Sequence, residues 1–165
     1  MIPVKVASLA LDAATKSPVV VLAPDDKSKV LPIWIGHSEA WVIAMELSQL
    51  EPSRPMTHDL LKTALETFGG VITKVEITEL RDQTFYAIIT VARESEYIQI
   101  DARPSDSIAM ALKFKAPIFV AEDLFNLADG VQKHEAERMN LTNDPESLSE
   151  RLKKINPEDF GKYSL

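Results

Sequence analysis

The chain has 165 residues, 45% of them hydrophobic and 26% charged, which suits one soluble globular domain with a short appendage. Its 18 basic and 25 acidic residues give a formal net charge of −7, which excludes a broad electrostatic grip on nucleic-acid phosphates but leaves room for a local basic groove. No apolar run is long enough to span a bilayer, the residues after Met1 lack a signal-peptide pattern, and the absence of cysteine removes disulfides and thiolate metal sites, so a cytoplasmic protein without a membrane partner is expected.

In chain order, Val4 to Leu11 and Pro18 to Leu22 read as two strands of a hairpin around a polar connection, with the β-branched run Val19-Val20-Val21 inside the second. A turn at Pro24 to Ser28 leads to a third strand, Val30 to Ile35, in which Pro32 cannot donate to a ladder and so points to a sheet edge. Gly36-His37-Ser38 breaks that strand, and Ser38 suits the N-cap of a helix from about Glu39 to Gln49. The middle of this helix is apolar nearly all round, through Trp41, Val42 and Met45, which predicts cover on more than one side, the second by another subunit. After the proline-punctuated loop Glu51 to Met56, Thr57 can cap a helix from His58 to Phe68, closed by Gly69-Gly70. Val71 to Leu80, Thr84 to Ala92 and Glu96 to Ile100 read as three more strands, the first two joined by a hairpin turn at Arg81-Asp82-Gln83. Pro104 suits the first position of a helix that stops near Ala116-Pro117. A short strand, Ile118 to Val120, and a short helix, Asp123 to Ala128, complete a domain spanning residues 1–130.

This order contains a repeat. Ile33, Ile35, Ile43, Ala44, Met45 and Leu47 match Ile98, Ile100, Ile108, Ala109, Met110 and Leu112 at a constant offset of 65. The expected fold is α+β: a tandem pseudo-repeat of two β-β-β-α units, with mostly antiparallel sheets, helices packed on them and a short C-terminal helical tail. Residues 131–165 read as a charged linker, a short docking helix with the stripe Leu148, Leu152 and Ile155, and a tail.

Familiar site patterns are missing: there is no phosphate-binding glycine loop, no dinucleotide fingerprint and no nucleophile elbow. His134-Glu135 opens a false zincin pattern, since Arg138 stands where a second histidine is needed, and His37-Ser38-Glu39 lacks the cysteines of a zinc deaminase. Two polar clusters remain, each at a helix entrance with an Arg-Pro pair: Arg54 to Asp59, and Asp101 to Asp106. Brought together they would supply the parts of phosphodiester hydrolysis. Carboxylates hold Mg²⁺ or Mn²⁺ through hard oxygen ligands, arginine clamps phosphate and histidine moves a proton near neutral pH. In this reading Asp101 and Asp106 are the metal ligands, Arg54 and Arg103 hold phosphate, and His58 with Asp59 handles the proton, with no organic cofactor. The competing reading is architectural: Arg103 fixes the strand-to-helix turn by pairing with Asp101 or Asp106, while Thr57, Asp59 and Asp106 serve as caps or dipole partners.

The motifs Leu31-Pro32-Ile33-Trp34-Ile35-Gly36 with Glu39-Ala40, Arg54 to Leu60, Thr84 to Ala87, Asp101 to Ala109 and Pro117 to Val120 resemble the bifunctional nuclease domain family over roughly residues 1 to 130. The resemblance implies an α+β fold, action on both DNA and RNA, and a homodimer or higher homo-oligomer. It marks Arg54, Thr57, His58 and Asp59 in one motif, and Asp101, Arg103, Ser105 and Asp106 in the other; our own reading of these residues puts Thr57 and Ser105 on the substrate-binding side. Ser107 departs from the pattern, standing where the family often has alanine. The alternative function is a non-enzymatic oligomeric binding or regulatory module whose Arg, Asp and His clusters are structural.

Overall fold

The computed structural model describes residues 1–126. Seven strands, β1 (Ile2–Leu11), β2 (Pro18–Ala23), β3 (Leu31–Trp34), β4 (Gly70–Arg81), β5 (Thr84–Arg93), β6 (Glu96–Ala102) and β7 (Ile118–Val120), form one sheet in the order β3-β2-β1-β7-β4-β5-β6. Every pairing is antiparallel except that of β4 with β7. Helices α1 (His37–Leu47), α2 (Thr57–Thr67) and α3 (Pro104–Phe114) pack on one face, α3 touching both of the others. The fold is α+β, as expected. The two three-strand runs join in a single sheet through β7, and tandem duplication as the origin of that order is our proposal. The far end of the predicted Asp123 to Ala128 helix and the whole 131–165 segment lie outside the described residues.

Register explains the core. Val4, Ile118, Val75, Ile89 and Ile100 are successive cross-strand partners, and the first four are at most 6% exposed beneath the helices. A second row, Ile2, Val120, Ile77, Ala87 and Ala102, lies beside it. Because side chains alternate along a strand, the intervening row Pro3, Phe119, Glu76, Ile88 and Asp101 must face the other way. Both rows end on β6, an edge strand whose Tyr97, Ile98 and Ile100 are exposed. At the opposite edge β3 is only four residues long and carries Pro32, which keeps it from recruiting another strand.

Two local expectations shift by a residue or two. Gly36 and Met56 occupy the N-cap positions, so Ser38 and Thr57 fall inside the first turns of α1 and α2. Pro104 does open α3, and the turn Asp82-Gln83 has positive φ at both residues, the geometry that matches strand twist in a two-residue hairpin. Gly69, at φ +76°, stops α2 in the left-handed region.

Candidate active site at three helix starts

The helix starts share one feature: the third residue of each is acidic, Glu39 in α1, Asp59 in α2 and Asp106 in α3. An acid at this position ordinarily reaches back to an orphan backbone N–H. Asp59 does so, its Oδ2 accepting from the Met56 N–H at 2.8 Å. Glu39 folds back on its own N–H, and a Cβ at residue 36 would stand 2.2 Å from its Oε2, so Gly36 gives the carboxylate its room. Asp106 is turned outward instead. Arg103 donates Nε to its Oδ2 at 2.7 Å and Nη2 to its Oδ1 at 3.2 Å, while His58 Nε2 lies 3.1 Å from the same Oδ1.

Arg103 also reaches Glu39 Oε1 from Nη1 at 3.1 Å, and so ties the start of α1 to that of α3. Three of its five N–H donors are thereby engaged, and with a side chain 66% exposed it keeps two for something in solvent. Burial of Asp106 opposes its ionisation. Hydrogen bonds from Arg103 and His58 and their charges outweigh that, holding the carboxyl below its ordinary range. An ionised carboxylate only accepts, so His58 presents Nε2–H to it, and Nδ1 makes no hydrogen bond among the described residues.

Lys113, seven residues beyond Asp106 on α3, forms a second network. Its ammonium pairs with Asp59 Oδ1 on α2 and Glu46 Oε1 on α1, and its side chain is only 6% exposed. Burial alone would lower its pKa, but hydrogen bonds to the two carboxylates raise it overall. Lys62 Nζ donates to the Lys113 carbonyl at 3.0 Å and binds α2 to the end of α3. For Asp59, desolvation works against ionisation, and bonds from Lys113 and the Met56 N–H prevail, placing its pKa below the ordinary value.

The site residues named from sequence therefore divide. His58, Arg103 and Asp106 meet, and the Arg103–Asp106 pair is one that the architectural reading also expects. Asp59 adjoins His58 in sequence but is bound by Lys113, and Asp106 is the carboxylate on the imidazole. Arg54 and Thr57 are exposed, Arg54 on the loop before α2 and outside both networks. Ser105 is buried at 7% in the first turn of α3. Asp101 is exposed in the row facing away from the helices, where its charge acts on Arg81. Asp101 and Asp106 thus lie on opposite sides of the sheet and do not form a shared donor pair for Mg²⁺ or Mn²⁺. Among the described residues no group of three or more His, Asp or Glu side chains is placed to hold a metal. Glu39 and Lys113 were absent from the sequence-based set. Lys113 was findable, since a residue seven positions after Asp106 shares its helix face.

A seven-stranded α+β sheet with a histidine–aspartate–arginine cluster at converging helix starts defines the class. A family model for the bifunctional nuclease domain matches residues 20–133. An uncharacterized protein of Mycobacterium tuberculosis is 35% identical over 161 residues, covering 95% of this chain and 96% of that one. Bifunctional nuclease 1 of Oryza sativa subsp. japonica is 29% identical over 112 residues, 66% of this chain and 34% of that protein. Bifunctional nuclease 1 of Arabidopsis thaliana is 24% identical over 132 residues, 78% and 40% of the two chains. The chain belongs to the bifunctional nuclease domain family.

Proposed function

We propose that this chain hydrolyses phosphodiester bonds of DNA and RNA. The observation that carries the reading is the His58–Asp106 contact at 3.1 Å, which leaves the second imidazole nitrogen unbonded among the described residues, beside an arginine with donors to spare. In this mechanism Nδ1 takes the proton from the attacking hydroxyl, a water for DNA and a water or the neighbouring 2′-hydroxyl for RNA. Asp106 stabilises the resulting imidazolium, and the proton returns to the oxygen that leaves. Arg103 and the exposed Arg54 hold the phosphate oxygens, where negative charge builds in the transition state. The test is cleavage of labelled single-stranded DNA and RNA by rigorously purified wild type, His58→Gln and Asp106→Asn. Activity unchanged in both variants would sink the assignment and point to a contaminating nuclease.

The carboxylates expected to share a metal are apart, so the proton and phosphate contacts above use only the chain's own side chains. Whether Mg²⁺ or Mn²⁺ assists is separable by calorimetric titration, in which heat that disappears with Asp106→Asn supports a role for that carboxylate. Within the described residues no helix is long and apolar enough to cross a membrane, and a cytoplasmic setting rests on the cysteine-free composition.

A second reading has its own support: the two ion networks hold two cations against four carboxylates, an unfavourable balance for a polyanionic substrate. Leu60, Leu61 and Phe68 of α2 and its C-terminal stop are exposed, as are Ile98 and Ile100 on the β6 edge. These surfaces support homo-oligomerisation in either reading, and a stable monomer in light scattering at micromolar concentration would refute it. Should neither His58 nor Asp106 matter for cleavage, the oligomeric binding or regulatory module is the better account.

A further inference from the structure

The sheet face away from the helices carries an open groove of about 640 Å³ lined by Thr73, Lys74, Thr90, Tyr97 and Gln99. Register accounts for the lining. Lys74, Thr90 and Gln99 are cross-strand neighbours on β4, β5 and β6, and Tyr97 shares their face through its pairing with Ala92. Thr90 is 4% exposed, and its Oγ1 has no hydrogen-bond partner among the described residues. A buried hydroxyl left unpaired is costly, and valine would fill the same space without that cost. By contrast Thr73 spends its hydroxyl on the Thr90 carbonyl at 3.2 Å. Lys74 pairs with Glu76 at 2.9 Å, which leaves the groove close to neutral. Tyr97 stands at its rim, 74% exposed.

We infer that this groove binds a base of single-stranded nucleic acid, stacked on Tyr97 and read at its edge by Gln99 and Thr90, with Lys74 near the adjoining phosphate. The inference rests on the nucleic-acid substrate of the proposed function and adds a second contact with it. A flat ring, an amide and a hydroxyl with little net charge suit a planar polar base, whereas free phosphate or an acidic peptide would need unpaired cations. Tyr97 lies near the start of β6 and Arg103 just past its end, about 20 Å apart along an extended strand. The groove therefore grips the strand several nucleotides from the bond that is cut, and affects affinity for long substrates rather than the chemical step.

The experiment is fluorescence anisotropy with labelled dodecamers of dT and U and a duplex of equal length, using the full chain in an Asp106→Asn background so that cleavage does not consume the probe. Single strands should bind more tightly than duplex. Tyr97→Ala should weaken that binding about tenfold, a change typical of losing one stacked base. Thr90→Val should weaken it severalfold while leaving the melting temperature equal or higher. Lys74→Ala should make the slope of log affinity against log salt shallower by about 0.7, the share of a single phosphate contact. Affinity equal to the parent in both Tyr97→Ala and Thr90→Val overturns the groove. The nuclease reading is judged apart from it, by wild-type cleavage of a dinucleotide too short to reach Tyr97. Tyr97-dependent binding without such cleavage would keep the groove and discard the nuclease.

Discussion

Two ion networks share α2 and α3, and they are built to opposite ends. The Lys113 network is closed: the cation is buried, both carboxylates are committed to it, and one of them also caps its own helix. The Arg103 network is open: the guanidinium is two-thirds exposed, and the histidine behind it keeps a free ring nitrogen. Charge pairs of the first kind hold elements in place, and removing one partner strands the others in a poorly solvated site. Those of the second kind cost little to disturb and can exchange a partner for a ligand. Under the hydrolysis we propose, the contrast gives Asp59 an architectural part and Asp106 a chemical one, although both are the third residue of a helix.

The comparison can be broken most decisively at Asp106. Asp106→Asn keeps the shape of the side chain but cannot hold an imidazolium, and cleavage should fall by about 10²- to 10⁴-fold in a steady-state assay with the fold intact by circular dichroism. At Lys113 the effect should be on stability. Lys113→Met is expected to cost about 2–3 kcal/mol in a urea titration, below the range for fully buried pairs because both carboxylates keep some solvent. Acid should act on both networks. Asp59 and Asp106 have folded-state pKa values below the ordinary 3.8, so the unfolded chain takes up their protons first. Their stabilisation is whole above the unfolded value and is lost as pH falls from about 4 through the depressed values. Urea midpoints between pH 2 and 6 check this, and Lys113→Met should shrink the Asp59 share to what the Met56 N–H still supplies while sparing that of Asp106. Asp101→Asn should leave cleavage within about twofold, since the carboxylate faces away from the cluster; an abolished activity would restore it to the site. Smallest of all, Ser107→Ala should lie within about 0.5 kcal/mol of wild type or above it, because the buried Ser107 Oγ has no partner to lose among the described residues.

Much of the fold was legible because it is written locally. Proline at Pro104, glycine at Gly69 and the β-branched run at Val19 to Val21 each act within a turn or two, and every strand lies within a few residues of its expected place. Helix starts were displaced where a plausible cap, Ser38 or Thr57, stood one or two residues after the residue that takes the position, Gly36 or Met56. The local pair Arg103–Asp106 was legible, but the pairing of charges between helices was not, since Asp106 meets His58 across 48 positions and Lys113 meets Asp59 across 54. One miss was avoidable. Ile98 and Ile100 mark the helix-facing side of β6, and strict alternation then sends Asp101 to the other side, away from any pairing with Asp106.

The short strand β7 has a consequence for synthesis. It is the last strand of the described chain, yet it sits mid-sheet, holding β1 on one side and β4 on the other. A nascent chain that has not yet delivered Ile118 to Val120 can form only two separate three-stranded halves, each with a bare inner edge. Those edges are templates for intermolecular pairing until the three residues of β7 arrive, so the interval before they emerge from the ribosome is when this sheet is most exposed to aggregation.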